Sequence, residues 1–286
     1  MYTGLSESEK ATLIDCTDVD VDAEEALVSY CYDTHSFIGQ TVIESEALVI
    51  VDEDEVFGDP GAKLILRDGG GISLASFSNI TLRRELQIDG ENPGSITLAE
   101  GSSLSFMNDY GIKGSSGLTI NGPGQIVMPS TLSLSGTLNV SKTSVLFDGD
   151  LSSTSFITIE DSALLQGKGV LPSVSLVGNA TLDLQGNLHV SGNLELDSSS
   201  ALGLKPYTDT DSIVVDGGIK LDDSILNLSI DSIEEIPFDT PIRLIKSKGT
   251  IEGEFSEIVA SNPDLSVSVS YEDSGIFVTI NKADLQ

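Results

Sequence analysis

Residues 167–205 read GKGVLPSVSLVGNATLDLQGNLHVSGNLELDSSSALGLK. Aliphatic pairs one position apart (Val174 and Leu176, Leu182 and Leu184, Leu188 and Val190, Leu194 and Leu196, Leu202 and Leu204) recur every six to eight residues, with Gly, Asn, Asp or Ser between them. Period-two alternation between turn formers is the pattern of a half-buried strand, here of about four residues. Hairpins use strands of about five or six residues joined by two-residue turns such as Asn-Gly or Asp-Gly. The spacers here are mostly single Gly or Ser-rich corners, so the chain is expected to coil instead. Three short strands and three corners make one turn of about 20 residues, and each strand pairs in parallel with the next turn. Inward Leu and Val side chains then stack into one apolar column, each contributing about 1.5–3 kcal/mol. Stacking holds such a fold together, because a lone turn leaves its column open at both ends.

Composition agrees with thin turns and small corners: the 286 residues include no Trp, few aromatics and 28 Gly. A coil makes chain length a poor guide to domain number. Beyond residue 60 no stretch keeps the i, i+3, i+4 spacing of an amphipathic helix. From about residue 41 strands are expected at 48–51, 63–67, 80–83 and 95–98. Between 94 and 166 the segments GSITL, SSLSF, GLTI, GQIVM, TLSL, GTLNV, TSVLF, SFITI and SALLQ follow one another across small or polar corners. The longer gap at 107–116 reads as a loop projecting from a corner, the kind of place where a coil carries binding. Asp68-Gly69-Gly70-Gly71-Ile72 is Gly-rich. It has neither a following helix nor a Lys-Ser/Thr pair, so it reads as a corner rather than a phosphate loop. After Lys205 the spacing stretches, 233–241 reads as a loop, and Tyr271-Glu-Asp-Ser-Gly-Ile276 as a hairpin turn. An open coil end exposes pairable strand edges, so a closing structure at one end is expected. The organisation expected is an acidic N-terminal segment over 1–45, coil turns over 46–204 and a capping β region over 205–286.

Residues 1–60 hold 16 Asp or Glu against the single Lys10, about half of the net charge of −31. Residues 6–14 and 22–28 could each form a short helix with Ser6 and Asp22 as N-caps, or the segment is a disordered acidic arm. Asp18-Val-Asp-Val-Asp22 alternates carboxylates as a hard cation requires, but Ala23 and Ser29 stand where a calcium loop needs Gly and Glu. No metal site is assigned there or at Asp52-Glu-Asp-Glu55. Cys16 and Cys31 are too few for a metal site and lie outside any CxxC. In an exported chain they could pair, and in a reducing compartment they stay thiols. So acidic a surface repels phosphate backbones and anionic headgroups, which excludes nucleic acid as a partner. The start MYTGLSESEKA lacks the basic and apolar regions of a signal peptide, and runs such as Ala47–Val51 are far short of a membrane span. The expectation is a fragment of a longer exported protein that does not itself insert into a membrane.

The C-terminal half resembles the distal passenger region of bacterial autotransporters. The order is what matches: Gly-x-Gly-Val at 167–170, the strand series over 174–196, Asp-x-Ile-Val-Val-x-Gly at 211–217, and Gly-Thr-Ile-x-Gly-x-Phe at 249–255. It closes with NPDLSVSVSY at 262–271 and IFVTI at 276–280. The resemblance covers about 160–280. It implies an all-β, right-handed parallel β-helix of the pectin-lyase-like kind, carried to the cell surface by a membrane barrel. It also implies a C-terminal segment like an autochaperone, which folds first and templates the other turns. The chain departs from that family in its acidity and in showing neither barrel nor signal peptide.

Catalytic patterns are sparse. Polysaccharide hydrolysis needs two carboxylates facing one cleft, and a lyase adds a cation. Asp183 and Glu195 are outward acids on successive strands, with no basic residue beside them. His35 and His189 are the only histidines, His189 points out of its turn, and no Gly-x-Ser-x-Gly elbow accompanies them. No catalytic, cofactor-binding or metal-ligating residue is assigned. The leading expectation is a monomeric, non-enzymatic passenger or adhesin fragment, at the cell surface or secreted, that meets a host or cell-surface protein or glycan. A carbohydrate-active β-helix is the alternative.

Overall fold

The structure, a computed structural model, describes residues 20–21, 39–107, 110–130, 132–206, 211–230 and 237–282. Cys16, Cys31, His35, both candidate N-terminal helices and the acidic run 18–22, apart from the backbone of Asp20–Val21, lie outside the described residues. The chain forms two compact units, 1–136 and 137–286.

In the first unit the chain visits three parallel stacks in rotation. The first holds Thr41–Glu44, Leu64–Arg67, Leu86–Asp89, Ile112–Gly114 and Leu132–Leu134. Leu48–Val51, Gly71–Leu74, Gly94–Leu98 and Leu118–Asn121 form the second, and Asn79–Leu82, Ser103–Phe106 and Gln125–Val127 the third. Register follows the alternation seen in the sequence. Leu64 lies against Leu86, Leu86 against Ile112 and Ile112 against Leu132, while Ile72, Ile96 and Ile120 form a second inward row. All of these except the slightly exposed Leu132 are fully buried. This is a parallel β-solenoid, the architecture the strand spacing predicts. Asp68 and Gly69 take positive φ at the 68–72 corner, as a turn between two stacks requires. The gap 107–116 is not only a loop: Ile112–Gly114 forms a full strand of the first stack, with Ile112 fully buried.

The second unit repeats the scheme with a different corner. One stack holds Thr137–Ser141, Phe156–Glu160, Val174–Leu176, Leu194–Leu196, Ile219–Asp222 and Ile251–Glu254. The other faces begin as single bent strands, Ser144–Asp150, Leu164–Leu171 and Thr181–Val190. The expected strands around 182–184 and 188–190 are thus one element. Its register against Leu164–Leu171 shifts between Gly167 and Gly169, so that Gly167 faces Leu184 and Gly169 faces Leu188. Later turns separate the limbs, with Ala201–Leu204, Ile225–Leu228 and Glu257–Ala260 on one and Ile213–Val215 and Pro241–Ser247 on the other.

The coil closes with an antiparallel hairpin, Leu265–Glu272 and Gly275–Lys282, whose second strand pairs with Pro241–Ser247. Its turn is Asp273-Ser274, where the sequence places it. Phe255 packs its ring 6.5 Å from that of Tyr271, and the Phe255 amide donates to the Tyr271 hydroxyl at 2.8 Å. This contact ties the hairpin to the last turn.

Candidate functional site

The charged side chains act first as ties between turns. Glu85 accepts from Lys63 at 2.9 Å and Lys113 at 2.5 Å, one cation on either side. The Lys113 ammonium, then that of Lys63, holds its carboxyl below the usual range. Arg67 pairs with Glu44 and Arg243 with Asp211. Asp197 sits at a corner and accepts from the hydroxyls of Ser200 and Ser199 and the amides of Gly178 and Ser199. Partial burial pushes that carboxyl up, but these hydrogen bonds outweigh it and the net direction is down.

The residues that a carbohydrate-active reading would use are not brought together. Asp183 lies on Thr181–Val190 and accepts from Gln166 and Gln185, whereas Glu195 lies on Leu194–Leu196 in a different sheet, where the register sets Lys220 beside it, a basic neighbour the sequence reading does not expect. His189 faces outward as its alternation indicates, with Nε2 3.1 Å from Asp216. Asp216 also receives Lys248 at 2.7 Å. Lys248, then His189, holds the Asp216 carboxyl down, which keeps it ionised at neutral pH and unsuited to donate a proton. Asp54, within the acidic run 52–55, is held in an ion pair. Its carboxylate is clasped by Arg84, with Nε to Oδ1 at 2.9 Å and Nη2 to Oδ2 at 3.0 Å. Among the described residues no group of three or more His, Cys, Asp or Glu is placed to hold a metal ion.

The outer faces of the first unit differ in charge. The first stack presents Lys63, Arg67, Glu85, Asp89 and Lys113. The second presents Leu48, Ile50, Ser73, Ser95, Thr97, Thr119 and Asn121, and the third Asn79, Thr81, Ser103, Ser105, Gln125 and Val127. The last two faces carry hydroxyls, amides and the aliphatics Leu48, Ile50 and Val127 without a formal charge, in a chain of net charge −31. Their side chains bond along the rows, Ser103 to Asn79 at 2.6 Å and Thr81 with Ser105 at 2.9 Å. On the corner that joins the two faces, between Gly71–Leu74 and Asn79–Leu82, Phe77 is 74% exposed and adopts φ 62°. A bulky residue in that region is an outlier. Its ring lies over Gly101, where an added Cβ would meet the ring at 2.5 Å.

No family model, curated protein or solved structure matches the chain. The functional reading therefore rests on its own geometry. The sequence reading looks for an adhesive surface at the N-terminus or in loops such as 107–116 and does not single out these faces. The signal is present as uncharged alternate positions in 71–74, 79–82, 94–98, 103–106 and 118–121, interrupted by one aromatic.

Proposed function

We propose that the chain is a non-enzymatic passenger or adhesin fragment of a bacterial surface protein: a β-helical stalk that presents a binding surface and is closed by a folding cap. The observation that carries this reading is the pair of adjoining uncharged faces in the first unit with exposed Phe77 on their shared corner. Rows of hydroxyls and amides offer donors and acceptors without desolvating a charge, and an exposed ring offers a stacking face. That chemistry suits a neutral glycan or the polar surface of a host or cell-surface protein. The hairpin tied to the last turn supports the cap, and the ordered C-terminal motifs support the autotransporter-like export route.

Binding to an array of neutral and anionic glycans and to host-cell extracts tests the reading. Retention on a neutral ligand should fall about tenfold or more in Phe77→Ala, since removal of a stacking aromatic costs roughly 1–3 kcal/mol. It should also fall in Thr97→Asp, which charges the face. Retention unmoved by both variants would place binding elsewhere, and release of new reducing ends or unsaturated products would replace the reading with the carbohydrate-active one. Expressed with its flanking sequence, the chain should be removed from intact cells by added protease.

A further inference from the structure

The strand Leu265–Glu272 ends its sheet. It pairs with Gly275–Lys282 on one side, and among the described residues no strand pairs with the other. A two-residue turn makes Glu272 and Gly275 a hydrogen-bonded pair. The backbone groups of Ser270 and Ser268 therefore point into the hairpin as those of Glu272 do, while those of Tyr271, Val269 and Val267 point to the open side. Natural edges are guarded by charge, Pro or short length. This one has eight residues, no Pro, and no charge between Asp264 and Glu272. Ile251–Glu254 and Glu257–Ala260, whose outer edges are also unpaired among the described residues, are half as long and carry Glu252, Glu254 and Glu257, and Gly253 breaks the first with φ 78°.

The edge is self-complementary. Leu265-Ser-Val-Ser-Val-Ser-Tyr271 has the same order of residue classes in both directions about Ser268. We propose that a second copy of this chain adds its own Leu265–Glu272 here, antiparallel, about a two-fold axis through Ser268. Val267 then faces Val269 of the second copy, Leu265 faces Tyr271, and Ser266 faces Ser270. Apolar meets apolar on one face and hydroxyl meets hydroxyl on the other. A slip of one residue would put valines against serines. The axis falls on a residue whose backbone groups point into the hairpin, so the Val267–Val269 pairs on either side are the ones that exchange hydrogen bonds. The same register opposes Asp264 to Glu272 at each end, a like-charge pair that weakens association and fixes its limits. The proposal departs from the monomer expected from the sequence, and it does not depend on the binding surface of the first unit.

Ser268 is exposed, so its substitution leaves the hairpin's packing untouched. In sedimentation velocity the chain should show a concentration-dependent dimer. Asp264→Asn with Glu272→Gln should strengthen it about fivefold, as relief of two like-charge pairs implies, and Ser268→Lys should abolish it. With Cys16 and Cys31 changed to Ser, Ser268→Cys places two thiols about 4.5 Å apart between Cα atoms, within disulfide reach. Mild oxidation should give a covalent dimer whose peptide map shows position 268 of one copy joined to position 268 of the other. A chain that stays monomeric, a dimer unmoved by Ser268→Lys, or a covalent yield no greater than from Ser76→Cys would overturn the proposal.

Discussion

Arg84 is fully buried, and no periodicity announces it. Its guanidinium holds both Asp54 oxygens, donates to the carbonyls of Phe57 at 2.7 Å, Gly58 at 3.1 Å and Asp59 at 3.1 Å, and stacks 5.6 Å above the Phe57 ring. It pins the short 3-10 turn Asp54–Phe57, which stands where later turns place a strand of the third stack. Arg84→Ala leaves buried Asp54 with Arg83 as its remaining cation, Nε 3.2 Å from Oδ2, and the three loop carbonyls without their donor, and should cost about 3 kcal/mol in urea unfolding. Asp54→Ala in the same chain should recover part of that loss, and additive costs would show that the pair is not a unit. Core positions behave differently because their role is legible from alternation alone. Leu182, fully buried between Leu165 and Leu202, should lose about 3–5 kcal/mol on change to Asp. His189, 42% exposed and paired with Asp216, should lose under about 1 kcal/mol on change to Ala. Equal losses would reject the assigned inward and outward faces.

Elements are legible where two aliphatic residues alternate between small corners, and less so where one limb of the pattern is weak. Gly71–Leu74 begins with glycine and Glu257–Ala260 sets its two aliphatics side by side, so neither announces itself as a strand, while Leu86–Asp89 carries the alternation behind the charged Arg83-Arg84-Glu85 rather than a small corner. Ile112–Gly114 contributes a single inward aliphatic and reads as loop. The bend that fuses two expected strands into Thr181–Val190 depends on backbone contact rather than on pattern. Gly167 has φ 154°, and a Cβ there would lie 1.9 Å from the carbonyl oxygen of Phe147 in the turn before. Gly167→Ala should therefore cost at least about 2 kcal/mol. At Gly186 an added Cβ meets only the movable Lys168 side chain at 3.0 Å, and Gly186→Ala should change stability by under about 1 kcal/mol. Thermal unfolding of both variants checks this; equal effects would deny that backbone crowding sets the bend.

For the whole molecule the governing quantity is charge. Net charge is −31 and the sequence pI is about 4.1, while the carboxyls of Glu85, Asp150 and Asp197 are all held below their ordinary values. A depressed carboxyl contributes stability above its unfolded pKa and loses it as pH falls through the folded value. Relief of self-repulsion acts the other way as pH approaches the pI. Thermal stability should thus hold or rise from pH 7 to about 5 and fall below about pH 4. A steady fall from pH 7 downward would show that repulsion is not what acid relieves.

The central claim is that turns of unequal length stack in register. Asn139, Thr158, Ser175, Glu195, Lys220 and Glu252 form one outward row, although the sequence gap between neighbours ranges from 17 to 32 residues. Parallel strands lie about 4.8 Å apart, so the backbone distance from 139 should be about 14 Å to 195, 19 Å to 220 and 24 Å to 252. Spin-label pairs at 139/195, 139/220 and 139/252, in a chain without its native cysteines, measure this by pulsed electron resonance. Equal increments of about 4.8 Å per turn are the predicted result; increments that follow the number of intervening residues, or no regular increment, would contradict the stacked coil.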